Sequence, residues 1–399
     1  MGRKTYVKEL GIDKVSLWKD KLPLLGSLDI ELTERCNNNC IHCYINLPKD
    51  DLGAMEKEFS KVEIKDILRE AASLGCIIVR FSGGEPLLRE DFEELYIFAR
   101  KQGLKVSIFT NATLITPHLA DLFYCIPPLG KMEVSVYGMK KSSYEAITRT
   151  PGSFEAAWRG INLLLEKKIP FIVKGAVLPS NKDEIDEFEA WAATIPWMPG
   201  PPSYSMFFNL RCRQDDTKKN EAIKKLRVSH KEGLKIFTRR RKVYIDEMRI
   251  FCSRFTRPMG DRLFSCGSGI RSGYINAYGG FQPCIYLRHP DMVYNLRKGS
   301  LKDALTNFFP GVREIKAVNP EYLVRCARCF LKGLCEQCPG KSWMEYGKLD
   351  TPVEYLCEFA HTQARDLGLL KEKEMAWTVE DWKERIKNFT GGDGYGIKS

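Results

Sequence analysis

Leu28-Asp-Ile-Glu-Leu-Thr33 runs directly into Glu34-Arg-Cys36-Asn-Asn-Asn-Cys40-Ile-His-Cys43, and the reading of this stretch decides the fold. Its first six residues alternate apolar and polar, the period of a strand with two unlike faces. Apolar residues then recur at helical spacing from Ile64 to Ala72, and Ile77-Ile-Val-Arg-Phe81 follows as a β-branched run. The alternation continues with a helix over 90–101, a strand over 105–109, a helix over 117–123 and a strand over 133–137. A helix over 154–166, a strand over 171–176, a helix over 184–192 and a strand over 204–208 complete it. Six strands alternating with helices imply an α/β protein with a parallel sheet. The regular repeat favours a partial (β/α)6 TIM-like barrel over separate α+β units.

Outside this block the composition changes. Residues 1–27 read as an amino-terminal extension and 28–212 as the barrel. From Arg213 the chain turns polar, then helical and basic, which marks 213–261 as a bridging segment. Residues 262–360 are dense in cysteine and punctuated by Gly and Pro, so they read as a second, loop-rich module. A short amphipathic helix over 378–388 and a frayed tail end the segment 361–399. The whole is 399 residues with 14 cysteines, 62 Lys and Arg against 51 Asp and Glu, and a formal charge of +11. No apolar run is long enough to span a membrane, and the amino terminus lacks the apolar segment of a secretory signal. The expected compartment is the cytoplasm, where 14 cysteines point to metal ligation or catalysis rather than to cross-links. The densest basic run, Arg239-Arg-Arg-Lys242, reads as a solvated helix face. Without a basic stripe interleaved with aromatics, a nucleic-acid partner is not expected.

Cys36, Cys40 and Cys43 form a C-x3-C-x2-C run just past the first strand. Three thiolates so close in sequence can converge on one soft centre, and three ligands to a four-iron cube leave one iron open. A zinc site completed by a residue such as His42 is the alternative. Three further signals stand at carboxyl ends of strands: Gly83-Gly84-Glu85-Pro86, Thr110-Asn111-Ala-Thr113 and Ser135-Val-Tyr137-Gly138. That is the face on which parallel barrels build their sites. Each alone reads equally as a turn or a helix cap, but together with the cysteines they describe one place.

With these motifs, residues 28–210 resemble a radical S-adenosylmethionine enzyme. The resemblance implies that Cys36, Cys40 and Cys43 hold a [4Fe-4S] cluster whose open iron is chelated by S-adenosylmethionine. It implies that Gly83, Gly84 and Glu85 meet the methionine amine, and that Asn111 and Ser135 contact the ribose or carboxylate. In that family an aromatic residue often sits between the second and third cysteines, whereas this chain has His42 there and Tyr44 after the third. The implied reaction is reductive cleavage of S-adenosylmethionine to a 5′-deoxyadenosyl radical, which takes a hydrogen atom from the substrate.

The second module has Cys266, Cys284, then Cys326-x2-Cys329-x5-Cys335-x2-Cys338, and Cys357. Alone, the paired C-x2-C spacing reads as a zinc ribbon. Beside the first cluster it resembles the SPASM extension of the same family, with two residues rather than the usual three between Cys335 and Cys338. The resemblance implies two auxiliary iron-sulfur clusters: a distal one on Cys326, Cys329, Cys335 and Cys357, and a proximal one on Cys266, Cys284 and Cys338. Cys212 or Cys252 is a candidate fourth ligand for the proximal cluster. Cys76 and Cys125 read as small buried apolar residues, and Arg211 and Arg213 as surface arginines able to clamp a carboxylate. No general base is identified.

Enzymes with both modules mostly modify peptides or proteins, so the expected substrate is a ribosomally made peptide or protein being crosslinked or oxidised. A tetrapyrrole or other small molecule is the second expectation, and a zinc- or cluster-binding nucleic-acid module without catalysis the third. The expected partners are a separate precursor-recognition protein, because only 27 residues precede the first strand, and a flavodoxin or ferredoxin as electron donor.

Overall fold

In the computed structural model the described residues are 24–391. The expected amino-terminal extension lies mostly outside them, as does nearly all of the expected tail. Six parallel strands follow one another in space as in sequence: β1 (Ser27–Thr33), β2 (Ile78–Gly83), β3 (Lys105–Thr110), β4 (Leu129–Val136), β5 (Phe171–Ala176) and β6 (Ser203–Ser205). Helices α1 (Lys61–Ser73), α2 (Phe92–Lys101), α3 (Pro117–Cys125), α4 (Lys141–Thr148), α5 (Ser153–Glu166) and α6 (Ile185–Ala192) connect them, and α7 (Thr217–Leu226) follows β6. This is the expected partial (β/α)6 barrel.

The two faces of its sheet differ in chemistry. Leu28, Ile30, Val79, Phe81, Val106, Ile108, Met132, Val134, Phe171 and Val173 share one core with Ile64, Leu68, Leu95 and Ala99 of the helices. The opposite face, one residue out of step, carries Asp29, Glu31, Arg80, Glu133, Ser135 and Lys174. Their charges are matched across the ladder, with Asp29 directly beside Arg80 at 2.6 Å and Lys174 paired with Glu133. A strand period of two thus packs the helices on one side and puts charged residues on the other.

The chain's contacts divide it elsewhere than the sequence suggests. Residues 267–310 belong with 1–226, and residues 227–266 with 311–399 form a second unit. Three short strands, β7 (Ser272–Ile275), β8 (Gly280–Gln282) and β9 (Tyr294–Asn295), extend the barrel sheet beyond β1 in the order β9-β8-β7-β1. β7 lies parallel to β1, with Leu28 beside Gly273, and returns through an antiparallel β8. Strands of two to four residues are too short for hydrophobic alternation to announce them. The stretch expected to be loop-rich therefore supplies part of the barrel sheet.

The second unit is built from α8 (His230–Phe237), α9 (Arg241–Phe255), the four-residue α10 (Lys332–Cys335), α11 (Pro339–Tyr346), α12 (Glu354–Asp366) and α13 (Trp382–Thr390). Its core gathers Tyr244, Cys252, Phe330, Leu331, Ala360, Ala364 and Leu369. No helix among the described residues is long and apolar enough to cross a membrane.

Candidate functional site

The loop after β1 is fastened at both ends by backbone bonds. Leu47 N–H donates to Glu34 O at 2.9 Å, while Asn39 and Ile41 donate to the carbonyls of Thr148 and Ile147 at 2.9 and 3.0 Å. Those two carbonyls end α4, beyond the reach of its own N–H groups, so the cysteine loop satisfies the helix terminus, with the Thr150 hydroxyl also donating to Thr148 O at 3.2 Å. Cys36 and Cys43 are half-buried and Cys40 is buried.

Gly83 and Gly84 lie against the backbone of β1's exit. A Cβ on Gly84 would stand 2.3 Å from Arg35 O, and one on Gly83 2.0 Å from Thr33 O, where φ is also +126°. Their closeness lets Gly84 N–H reach Thr33 O at 2.8 Å and Glu85 N–H reach Arg35 O at 3.0 Å. The glycine pair thus sets the position of the residue just before Cys36. Replacing Gly84 by alanine is expected to displace the cysteine loop, lowering stability by about 1–3 kcal/mol. Iron bound per chain after anaerobic reconstitution should fall with it, and unchanged iron would show that the close approach is not needed.

Glu85 is completely buried, and its carboxylate is already engaged. Oε1 accepts from Leu87 N–H at 3.1 Å and Thr110 Oγ1 at 2.8 Å, and Oε2 accepts from Asn111 N–H at 2.8 Å. Burial pushes its pKa up to about 7 against these bonds. Three donors on four lone pairs leave little for a ligand, so what Glu85 does here is hold the Thr110-Asn111 turn against β2.

Asn111 in turn reaches the cysteines. Its Nδ2 donates to Cys36 Sγ at 3.8 Å and to Asn37 Oδ1 at 3.0 Å, while its Oδ1 accepts from Thr113 N–H and hydroxyl. Ser135, half-buried on the polar face, hydrogen-bonds the Tyr137 hydroxyl, which itself bonds the Cys40 sulfur. Gly83, Gly84, Glu85, Asn111 and Ser135 therefore gather around the cysteine loop, through contacts within the chain.

Asn38 and Lys219 had no role in the reading of the sequence, and Tyr137 only a place in a strand-end motif. Tyr137 shares a strand end and side-chain parity with Ser135, which was the available signal. Lys219 of α7 donates to Asn46 Oδ1 at 2.8 Å and acts by charge on Cys43 and Cys40. Asn38 N–H donates to Cys36 Sγ at 3.4 Å, yet both polar atoms of its side chain are buried without a partner. His42 occupies the expected aromatic place, its ring 5.1 Å from that of Tyr137 and 5.0 Å from that of Phe208. Burial holds its pKa down to about 4.

Two buried carboxylates flank this loop. Glu31 and Glu34 are 1% and 0% exposed, and Arg288 bonds both: Nη2 lies 2.7 and 2.6 Å from the oxygens of Glu31, and Nη1 meets Glu34. Tyr274 donates to Glu31 and Tyr278 to Glu34, at 2.5 and 2.9 Å. Arg213 also pairs with Glu34, and Arg211, 4% exposed, grips Asp215 with bonds of 2.6 and 2.9 Å. The expectation of surface arginines is corrected: these guanidiniums are structural counter-ions.

Residues 30–192 match the sequence profile of the Radical SAM superfamily. Over 281 residues the chain is 33% identical to a probable GTP 3′,8-cyclase of Methanosarcina acetivorans, covering 67% of this chain and 79% of that protein. The chain belongs to the radical SAM superfamily. An AdoMet-dependent heme synthase of Methanosarcina barkeri is 25% identical over 79% of this chain and 92% of its own length. The fold is also that of native anSMEcpe solved with bound AdoMet and Cp18Cys peptide, with a TM-score of 0.60 at 16% identity over 92% of this chain and 99% of that one.

The barrel site suits the [4Fe-4S] cluster that membership implies. Its donors are three thiols on one loop. The unpartnered amide of Asn38 and the N–H groups aimed at Cys36 are what a sulfur-rich anionic group would engage. Burial, with Glu85 nearby, pushes the Cys36 thiol up to about 12, and burial raises that of Cys40 as well. Binding a cluster here would therefore release protons that these thiols otherwise keep. Among the described residues no three His, Cys, Asp or Glu are grouped tightly enough for a single metal ion. A four-iron cube spaces its thiolates farther apart than one ion does.

In the second unit, Cys326, Cys329, Cys335 and Cys357 line one cavity with Lys332, Arg325 and His361. His361 is not free to join them as a ligand: Nδ1 lies 2.8 Å from Cys357 O, to which it donates, and Nε2 accepts from Ala376 N–H at 3.1 Å. Cys338 caps α11, accepting from Lys341 N–H at 3.4 Å, and interacts by charge with Cys266. Cys284 belongs to the barrel unit, where Gln282 bonds its carbonyl at 2.9 Å.

The remaining cysteines differ in setting. Cys252 packs with Tyr244 and Phe330, and its carbonyl accepts from Thr256 N–H at 3.2 Å, while Cys212 is buried near Arg288 and Glu31. Cys76 is buried as expected, its thiol 3.2 Å from Ile78 O, but Cys125 is exposed. It follows the core residue Phe123 by two positions, ~200° around the helix, which turns it to solvent.

Proposed function

We propose that this radical SAM enzyme abstracts hydrogen from a ribosomally made peptide or protein, as a step in crosslinking or oxidising it. The supporting observation is the fold match to the peptide-bound anSMEcpe, which runs through the cysteine-lined second unit as well as the barrel. When bound, the cluster and S-adenosylmethionine supply the electron and the carbon radical that takes the hydrogen atom. The protein's own contribution is placement. Cys36, Cys40 and Cys43 hold the cluster, and the Gly83-Gly84 contact fixes their loop. Glu85 and Asn111 brace it from β2 and β3, with Ser135 and Tyr137 at the end of β4. The charged face of the sheet, with its Asp29–Arg80 and Glu133–Lys174 pairs, is where a polar substrate would be oriented. Cys326, Cys329, Cys335 and Cys357 hold an auxiliary cluster, and Cys266 and Cys338 of the same unit supply ligands for another. An acidic flavodoxin or ferredoxin suits the net charge of +11, and a separate recognition protein would deliver the peptide.

A tetrapyrrole substrate is the second reading, favoured by the likeness to the heme synthase over 92% of that protein's length. Anaerobically reconstituted enzyme should bind about 12 irons. With dithionite and S-adenosylmethionine it should release 5′-deoxyadenosine. Candidate peptides encoded beside the gene and an iron-bound porphyrin carboxylate are then compared by mass. A mass change in a peptide is the expected result; a change in the porphyrin alone overturns the peptide reading. Zinc in place of iron, with no cleavage, overturns both.

A further inference from the structure

Three basic side chains border the cysteines of the second unit, and their charges are balanced differently. Arg325 Nη2 reaches Cys357 Sγ at 3.6 Å, but the same guanidinium already pairs with Glu321 at 2.6 Å and with both oxygens of Glu354 at 2.7 and 2.9 Å. Lys341 pairs with Glu336 at 2.6 Å. Lys332, the first residue of α10 and only 5% exposed, has no carboxylate partner among the described residues. Its ammonium bonds the Tyr322 hydroxyl and lies 4.7 Å from the centre of that ring. Asp350, a buried acid that acts by charge on Tyr322, is taken up by the N–H groups of Val318 and Asn319, each at 2.8 Å. Burial lowers the pKa of Lys332, and the largest charge effects that oppose this come from four cysteines, Cys326, Cys335, Cys329 and Cys338, three of which line the same cavity.

A buried ammonium without a counter-ion is strongly destabilising, and a ring alone does not offset that. The anion it faces must come from the cavity itself. We propose that Lys332 is the counter-charge of the iron-sulfur cluster held by Cys326, Cys329, Cys335 and Cys357, and that it raises the cluster's reduction potential. The inference rests on the auxiliary-cluster reading above. Reduction adds one electron and one negative charge to the cluster, and a fixed cation in a site of low dielectric favours that more negative state. Arg325, whose charge is already neutralised, has less effect on the balance.

The test is a redox titration of the reconstituted full-length protein against dithionite, followed by electron paramagnetic resonance. The signal of this cluster is the one that a Cys326→Ala variant loses; if that variant keeps all its iron and every signal, the auxiliary-cluster reading has failed, whatever Lys332 does. In Lys332→Met the expected result is unchanged iron and a shift of this signal to lower potential. The shift should be at least about tenfold in the reduction equilibrium, ~59 mV for one electron, with Lys332→Arg restoring the native value. Should methionine prevent the cluster from assembling while arginine permits it, the counter-charge role is equally supported. An unshifted potential with full iron, or loss of the cluster from both variants, overturns the proposal.

Discussion

Replacing Arg288 by methionine is expected to destabilise the barrel unit by about 3–5 kcal/mol. Arg288 is the only guanidinium on Glu31 among the described contacts and one of two on Glu34, and both carboxylates are essentially inaccessible to water. Methionine fills much of the same volume, so the loss is one of charge rather than of packing. Burial raises the pKa of Glu31 even with Arg288 beside it. Without the guanidinium, Glu31 must either stay charged at great cost or bind a proton. Urea unfolding read by intrinsic fluorescence should show a lower midpoint. Adding Glu31→Gln to the variant should recover part of the loss, because the orphaned charge is then removed. A midpoint unmoved by Arg288→Met would mean that the two carboxylates are compensated in some other way.

Cys40→Ala is expected to abolish chemistry while sparing the fold. The loop is held by backbone bonds from Asn39 and Ile41 to the end of α4, and by the packing of Gly84 on β1, none of which involves the thiol. Bound iron should therefore fall by about four per chain, with the unfolding midpoint of the metal-free protein little changed. Release of 5′-deoxyadenosine should drop to background, since two thiolates do not retain a four-iron cube in a reducing buffer. Cleavage above about one-hundredth of the native rate would show that the assigned triad is not the ligand set; at ~1.4 kcal/mol per tenfold, that residual rate corresponds to less than about 3 kcal/mol of lost barrier lowering.

The largest part of what could be read from the chain came from local signals. Strand and helix periods gave the order of the barrel strands because the longer elements show their own face pattern, although the eight-residue α4 went unread and β6, read over 204–208, spans only Ser203–Ser205. The cysteine spacing was legible because three ligands within eight residues need no tertiary information to be neighbours. The short strands β7 to β9 were not legible, since two to four residues carry no period, and so residues 267–310 read as part of a separate module. Arg211 and Arg213 read as surface residues for a related reason: a charge declares its burial only through its partner. The partner of Arg213, Glu34, lies 179 positions away.

The sequence by itself therefore determined the kind of chemistry and the sheet that carries it, because ligand spacing and strand period are properties of adjacent residues. Tertiary structure decided what the motif residues do with their polar atoms. Glu85 is spent on Leu87, Thr110 and Asn111, Asn111 is turned onto Cys36, and Arg288 returns from the far end of the sheet to neutralise Glu31 and Glu34. Only there is Lys332 seen to lack a carboxylate, while Arg325 and Lys341 have theirs. Counter-charges are assigned by three-dimensional proximity in a medium of low dielectric, and that proximity is written nowhere in the spacing of the chain.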